Sequence, residues 1–129
     1  MIEHFNAPGL SDPPGYSHAV VASGVRLVVT AGAVPLDPDG NLVGHGDYVA
    51  QTRQVLDNLG VALRAAGARG TDVLKTTVYV VTEDRANLAE VWGVIQESEV
   101  AAAASTLLGV SLLGYERQLV EVEAIAVIR

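Results

Sequence analysis

The sequence predicts an α+β domain, two helices packed on one face of a mixed β-sheet, and three observations predict it. Segments rich in Val, Ile and Thr recur between turns that carry Gly or Pro, which is how strands read. Two longer segments instead place apolar residues at the three-and-four spacing of a helix that buries one stripe. In chain order these give β-β-β-α-β-α-β-β, and two helices beside several strands close a core as a helix layer on a sheet. The 129 residues suit a single domain spanning 1–129, since domains commonly run to about 100–150 residues. Half of the residues are apolar but only 5% are aromatic, so Val, Leu, Ala and Ile must build the core.

A short strand over Ile2 to Phe5 opens the chain, and Asn6 to Gly9 and Asp12 to Gly15 follow as a loop rich in Pro and Gly. Ala19 to Ala22 and Arg26 to Thr30 read as two strands, with Ser23 and Gly24 as a hairpin turn between them. Asp37-Pro-Asp-Gly is a second turn, with Pro suited to its second position and Gly to the left-handed one. Asp47 is placed as an N-cap. After it Thr52, Leu56, Leu59, Leu63 and Ala66 form one stripe, and Gly67 ends the helix. Val73 to Val81 is a strand, in which Lys75 and two threonines point to partial exposure. A second helix runs from about Arg85 to Glu97 with Leu88, Val91, Trp92 and Ile95 on one face, capped by Thr82 or Asp84. Thr106 to Leu112 and Leu119 to Ile128 are the last strands.

Composition removes several classes of function. Fifteen acidic residues against eight basic give a formal charge of −7, which repels phosphate backbones and excludes nucleic acid as the expected partner. No cysteine is present, so disulfides, Cys-ligated zinc and thiol nucleophiles are absent. The first residues lack a basic segment followed by an apolar run, so no secretory signal is read and the cytoplasm is the expected compartment. No apolar stretch approaches the ~20 residues that cross a bilayer, so no membrane partner is expected.

The last strand carries a further message. Val120, Val122, Ala124, Ala126 and Ile128 alternate with Leu119, Glu121, Glu123, Ile125 and Val127, so both of its faces bear apolar residues. Such a strand is covered on both sides, and two helices supply one cover only. Self-association supplies the other.

Four stretches then identify a relationship: Gly15 to Pro35, Gln51 to Leu56, Lys75 to Val80 and Val120 to Ala126. Together they resemble the RidA/YjgF family of reactive-intermediate deaminases, also called endoribonuclease L-PSP-like, over roughly residues 13 to 128. The ribonuclease label sits poorly with the charge of −7. The resemblance implies a chorismate-mutase-like fold and a homotrimer whose sheets form an inner β-barrel, with three clefts at the subunit boundaries and no cofactor. It also implies that Tyr16, Thr30, Ala31, Gly32, Trp92, Ala104, Ser105, Thr106 and Glu121 surround one such cleft. In deaminating relatives an arginine in a Pro-Ala-Arg-Ser-Thr run pairs with the substrate carboxylate and a glutamate positions water. Here the arginine position is Ala104. A methyl group cannot supply the paired charge-assisted hydrogen bonds of a guanidinium, a loss of about 2 to 5 kcal/mol for an anion in a dry cleft. The expected substrate is therefore less dependent on a carboxylate anchor than 2-aminoacrylate.

Each candidate residue has a chemical and a structural reading. Glu121 is the expected acid–base, passing a proton to or from water at an imine carbon, or else a strand carboxylate that is solvated or ion-paired. Glu123 stands ~7 Å further along the same face, and nothing else supports sugar chemistry. Tyr16 donates its phenol or caps a pocket with its ring. His18 titrates near neutrality or bonds within the core, and neither His4 nor His45 has the spacing of a metal ligand. Ser105 and Thr106 are nucleophile or ligand donors, or a polar strand start. Trp92 anchors the core or narrows the cleft. Arg117 replaces the missing arginine or lies in an exposed turn. The leading expectation is a divergent member that binds a small imine, enamine or carbonyl compound at trimer clefts and promotes its hydrolysis or tautomerisation through Glu121 and water, with Tyr16 assisting. The alternatives are a conventional 2-iminobutanoate/2-iminopropanoate-type deaminase with a substitute cation, and a non-catalytic small-molecule-binding trimer.

Overall fold

The computed structural model describes residues 2–128. In chain order its elements are β1 (Ile2–Phe5), β2 (Ala19–Ala22), β3 (Arg26–Val29), α1 (Tyr48–Ala65), β4 (Val73–Val81), α2 (Arg85–Gln96), β5 (Ala104–Val110) and β6 (Val120–Ile128), with one 3-10 turn, Gly70–Asp72, leading into β4. The main sheet runs β3-β6-β4-β5, and a separate pair joins β1 to β2. β6 is antiparallel to both β3 and β4, while β4 and β5 are parallel and linked by α2. The sheet is therefore mixed and open, with β3 and β5 as its edges.

The hairpin expected at Ser23 and Gly24 does not form. β2 pairs with β1 instead, with Ile2 opposite Ala22 and Phe5 opposite Ala19, and β3 crosses to β6, setting Arg26 to Val29 against Ile128 to Ile125. The reason is burial: Ala19–Ala22 contains no buried residue, whereas pairing with β6 brings Val28 against the core. β5 also starts at Ala104, two residues earlier than expected, because its ladder begins at the Lys75–Ala104 pair, and it stops at Val110, before the exposed Leu112. The second turn does form. Asp37 Oδ1 accepts from the amides of Asp39 and Asn41, and Leu36 bridges to Leu42.

Both helices cap as the sequence implies. Asp47 accepts from the Ala50 amide at 3.0 Å, and Asp84 accepts from Ala86 at 2.9 Å while Thr82 Oγ1 receives Asp84 and Asn87. At the far end of α1, Gly67 has φ +86°, and the amides of Gly67 and Ala68 return to the carbonyls of Arg64 and Leu63, a Schellman closure that a Cβ would strain. The buried stripe of α1 is Gln51, Thr52, Val55, Leu59 and Leu63, so Val55 and Gln51 take core places that the spacing gave to Leu56 and Ala66. It packs with Val91 and Ile95 of α2 on a sheet face of Val78, Val80, Val120, Val122, Ala124 and Ala126. Thr76 joins this face and is buried, contrary to the exposure read for the threonine pair.

The opposite sheet face is covered only in part, with Val127 on it 3% exposed but its neighbours largely open. Directly opposed residues share a face, which sets Leu27 and Val29 of β3 beside Val127 and Ile125 of β6, with Leu27 67%, Val29 68% and Ile125 37% exposed. Further along lie Lys75, Thr77 and Tyr79 of β4 opposite Ile125, Glu123 and Glu121. Among the described residues, no helix is long and apolar enough to cross a membrane.

Candidate functional site

Glu121 is held on the uncovered face by residues from two directions. The segment after β3 continues along β6: the Thr30 amide donates to Ala124 O at 3.0 Å, Thr30 Oγ1 accepts from the Ala124 amide, and Ala33 bridges to Val122. This lays Gly32 against the Glu121 carboxylate so closely that a Cβ on Gly32 would fall 2.2 Å from Glu121 Oε2. From the other side, buried Gln118 donates its amide to Glu121 Oε1 at 3.1 Å and to Val120 O at 3.1 Å, while its own oxygen accepts from the Tyr115 amide. The carboxylate is fixed without an ion pair: among the described residues the only salt bridge joins Arg69 and Asp72.

Glu123 is committed elsewhere. The Tyr79 hydroxyl donates to Glu123 Oε1, and this hydrogen bond, followed by burial and the charges of Glu123 and Glu121, raises the Tyr79 phenol above its usual 10.0. The carboxylate pair thus divides, one partner taken by a phenol and the other by an amide. Thr106 and Ser105 divide too. Thr106 Oγ1 accepts from Lys75 Nζ at 2.6 Å on the uncovered face, while Ser105 Oγ accepts from buried Thr76 at 2.8 Å on the helix side. Ala104 pairs with Lys75 across the ladder.

Tyr16 belongs to a second cluster. Its ring meets those of Trp92 and His18 edge-on, with both centroid separations 6.0 Å. A cavity of about 240 Å³ opens among Pro14, Tyr16, Trp92, Ser105 and Leu107. The Trp92 indole N–H and the Gln96 amide both donate to Pro14 O at 2.8 Å, which fastens the loop before Tyr16 onto α2. His18 Nδ1 accepts from the Ala7 amide, so its unprotonated nitrogen serves the loop. His4 Nδ1 meets Ser17 Oγ and Ala102 O at 2.9 and 3.0 Å. Both histidines are thereby structural in this chain, and His45 is exposed. No group of three or more His, Asp or Glu side chains suited to a metal occurs among the described residues.

Within one chain the predicted residues therefore fall into two sets. Gly32, Glu121, Ala104 and Thr106 belong to the uncovered sheet side, where Thr30 contributes through its backbone pairing with Ala124, whereas Tyr16, Trp92 and Ser105 line a hollow on the helix side of edge strand β5. Ala31 is exposed beside Gly32. Arg117 is exposed with φ +63°, and its carbonyl accepts from Gln51 Nε2 at 3.1 Å, so its backbone serves to tie a turn to α1. Larger hollows of about 480 and 430 Å³ lie by the C-terminal end of α1 and between α1 and residues 97–100. Neither is lined by Glu121 or Tyr16, and convergent polar groups locate chemistry better than size does. Gln118 and Lys75 escaped the sequence reading as site residues, since only the strand register and the folded 114–119 turn bring them to Glu121 and Ala104.

Similarity to known proteins extends over nearly the whole chain. The family described as Endoribonuclease L-PSP matches residues 10–128. A RutC family protein of Pyrococcus horikoshii is 40% identical over 123 residues, covering 94% of this chain and 91% of that protein. The 2-iminobutanoate/2-iminopropanoate deaminase of Homo sapiens is 30% identical over 128 residues, 98% of this chain and 88% of the enzyme. A structure of a conserved Rid-family protein from Yersinia pestis superposes with a TM-score of 0.90 at 39% identity and covers 98% of each chain.

Proposed function

The chain belongs to the Endoribonuclease L-PSP family, the RidA/YjgF group, and from that premise we propose that it hydrolyses a small imine or enamine in clefts between copies of itself. The observation that carries this reading is Glu121, fixed by Gln118 against Gly32 on a sheet face that the chain leaves uncovered. A held, half-buried carboxylate with no cation bound to it is suited to take a proton from water. In the proposed reaction water adds to the C=N carbon, its proton passes through Glu121 to the nitrogen, and the resulting carbinolamine collapses to a carbonyl compound and ammonia. An enamine first takes a proton at carbon and gives one up from nitrogen to become the imine. Neither step requires a cofactor.

The second half of the cleft is the Tyr16, Trp92 and Ser105 hollow of a neighbouring copy. A homotrimer, with the uncovered faces forming an inner barrel, removes Leu27, Val29 and Ile125 from water and lets the two sets meet. Similarity to the human 2-imino-acid deaminase supports ammonia release as the chemistry, and the formal charge of −7 disfavours an RNA phosphate backbone as substrate. The test is ammonia release from freshly generated 2-iminopropanoate and from an uncharged imine. Glu121→Gln keeps the shape and the Gln118 contact but loses the base, and is expected to lower turnover by about 100-fold or more. Unchanged turnover in that variant would remove Glu121 as the base, and no ammonia release from the wild type would leave only a binding protein.

A further inference from the structure

We propose that Lys75 and Thr106 form an anion seat above Ala104 that takes the carboxylate of the substrate, so that an acidic substrate class survives the absence of an arginine there. This rests on the reading of the site as an imine-hydrolysing cleft, and it reverses the expectation drawn from Ala104 alone. The chain has one lysine, and it is half-buried on the uncovered face directly across the β4–β5 ladder from Ala104. Its ammonium carries three donors. One goes to Thr106 Oγ1 at 2.6 Å.

The carboxylates near it are engaged elsewhere. Glu123, diagonal to Lys75 in the β4–β6 register, receives the Tyr79 hydroxyl. Glu121 receives the Gln118 amide. No carboxylate lies within salt-bridge distance of Lys75 among the described residues. A partly buried ammonium with a single neutral acceptor keeps unused donors and an unneutralised charge, both of which favour an anion.

Thr106 strengthens the case by elimination. A hydroxyl whose oxygen accepts from Nζ still has its own proton to give. The two groups thus present an ammonium and an O–H to one anion, with Ala104 beside them, directly across the ladder from Lys75. The single positive charge matches a monoanion, and the negative charges of Glu121 and Glu123 on the same face disfavour a dianion such as a phosphate monoester. A carboxylate is the fitting ligand. β5 is the last strand of the main sheet, with Ser17 bridged to Ala104 along its outer side, so the seat lies where the Tyr16–Ser17 segment borders the sheet.

Calorimetric titration with pyruvate and with its neutral counterpart pyruvamide tests the seat without turnover. The wild-type oligomer is expected to bind pyruvate at least ~10-fold more tightly. Lys75→Gln should bring that ratio close to one, Thr106→Val should lower it severalfold, and Lys75→Arg should retain most of it. Equal affinities in the wild type, as when a carboxylate of a neighbouring copy already neutralises Lys75, would overturn the proposal, as would an unchanged ratio in Lys75→Gln. If Lys75→Gln fails to fold, an unchanged ratio in Thr106→Val overturns it equally. Glu121→Gln separates the two ideas. Full turnover in that variant defeats Glu121 as the base whatever the binding ratio, absence of ammonia release from the wild type defeats the hydrolytic reading, and a flat wild-type ratio with Glu121-dependent turnover defeats the seat alone.

Discussion

At the residue scale, the position of one carboxylate depends on a side chain that is missing and on another that is buried. Gly32 leaves the space in which Glu121 Oε2 rests, and a methyl group there would meet that oxygen at 2.2 Å. The obstructed group is the end of a flexible side chain, so Gly32→Ala should move the carboxylate more readily than it unfolds the protein. The expected result is a melting temperature near that of the wild type with kcat lowered by about 100-fold, the scale of a 1 Å misplacement of a reacting group. A fall in stability with kcat preserved would show that Gly32 serves packing instead. Tyr79 gives a prediction in pH. Its hydrogen bond to Glu123 raises the phenol above 10.0, so the folded state holds the proton more tightly than the unfolded chain does. The stability this contributes is fully present below about 10, the usual tyrosine value, and declines as pH rises through the raised folded value. Ultraviolet titration compared with Tyr79→Phe should assign the late-ionising phenol, and Glu123→Gln should bring it down. Glu121 and Tyr16 were legible in the sequence because they lie in recognisable stretches. Gln118 lies outside those stretches, and Lys75, although it opens one of them, acquires meaning only when register sets it across from Ala104.

At the scale of elements, helix ends and turns were the most legible features because they depend on local chemistry. Asp47, Asp84, Gly67 and the Asp37 turn all act through hydrogen bonds to backbone within a few residues. Strand partnership depends on what is buried far away, and so the β1–β2 pair and the β3–β6 crossing were not legible from Ser23 and Gly24. Gln51 shows a third case, a polar residue in the buried stripe of a helix. Its Nε2 donates to Gly44 O and Arg117 O, and its Oε1 accepts from the Leu119 amide at 2.7 Å. One side chain thus joins the start of α1 to the loop before it and to the turn that leads into β6. Gln51→Leu keeps similar bulk but strands those backbone groups, at a cost of about 1–3 kcal/mol for each that stays unpaired. Urea denaturation should show a lowered midpoint with little change in slope. Because the same turn carries Gln118, the variant should also lose turnover beyond what its stability explains.

For the whole molecule, an open sheet with one bare face and two separated sets of candidate residues presents a single problem with a common solution. The alternation of Val120 to Ile128 made the need for a second cover legible, while the number of copies and the way they meet came from resemblance alone. If copies associate through the bare face, a charge placed there must be desolvated, at several kcal/mol. Val29→Glu should therefore shift sedimentation equilibrium toward the monomer and lower turnover in parallel. A sharper outcome follows if each cleft takes Glu121 from one copy and Tyr16 from its neighbour. Glu121→Gln and Tyr16→Ala oligomers should each be inactive, yet unfolding, mixing in equal amounts and refolding them together should restore activity. In a closed ring with random assortment each boundary needs an intact Tyr16 on one side and an intact Glu121 on the other, so about a quarter of the clefts are competent. Recovery of about one quarter of wild-type turnover would show that the site is shared between copies. No recovery from a mixture that demonstrably assembles would return all of the chemistry to a single chain, and the distance between Tyr16 and Glu121 would then remove Tyr16 from the mechanism.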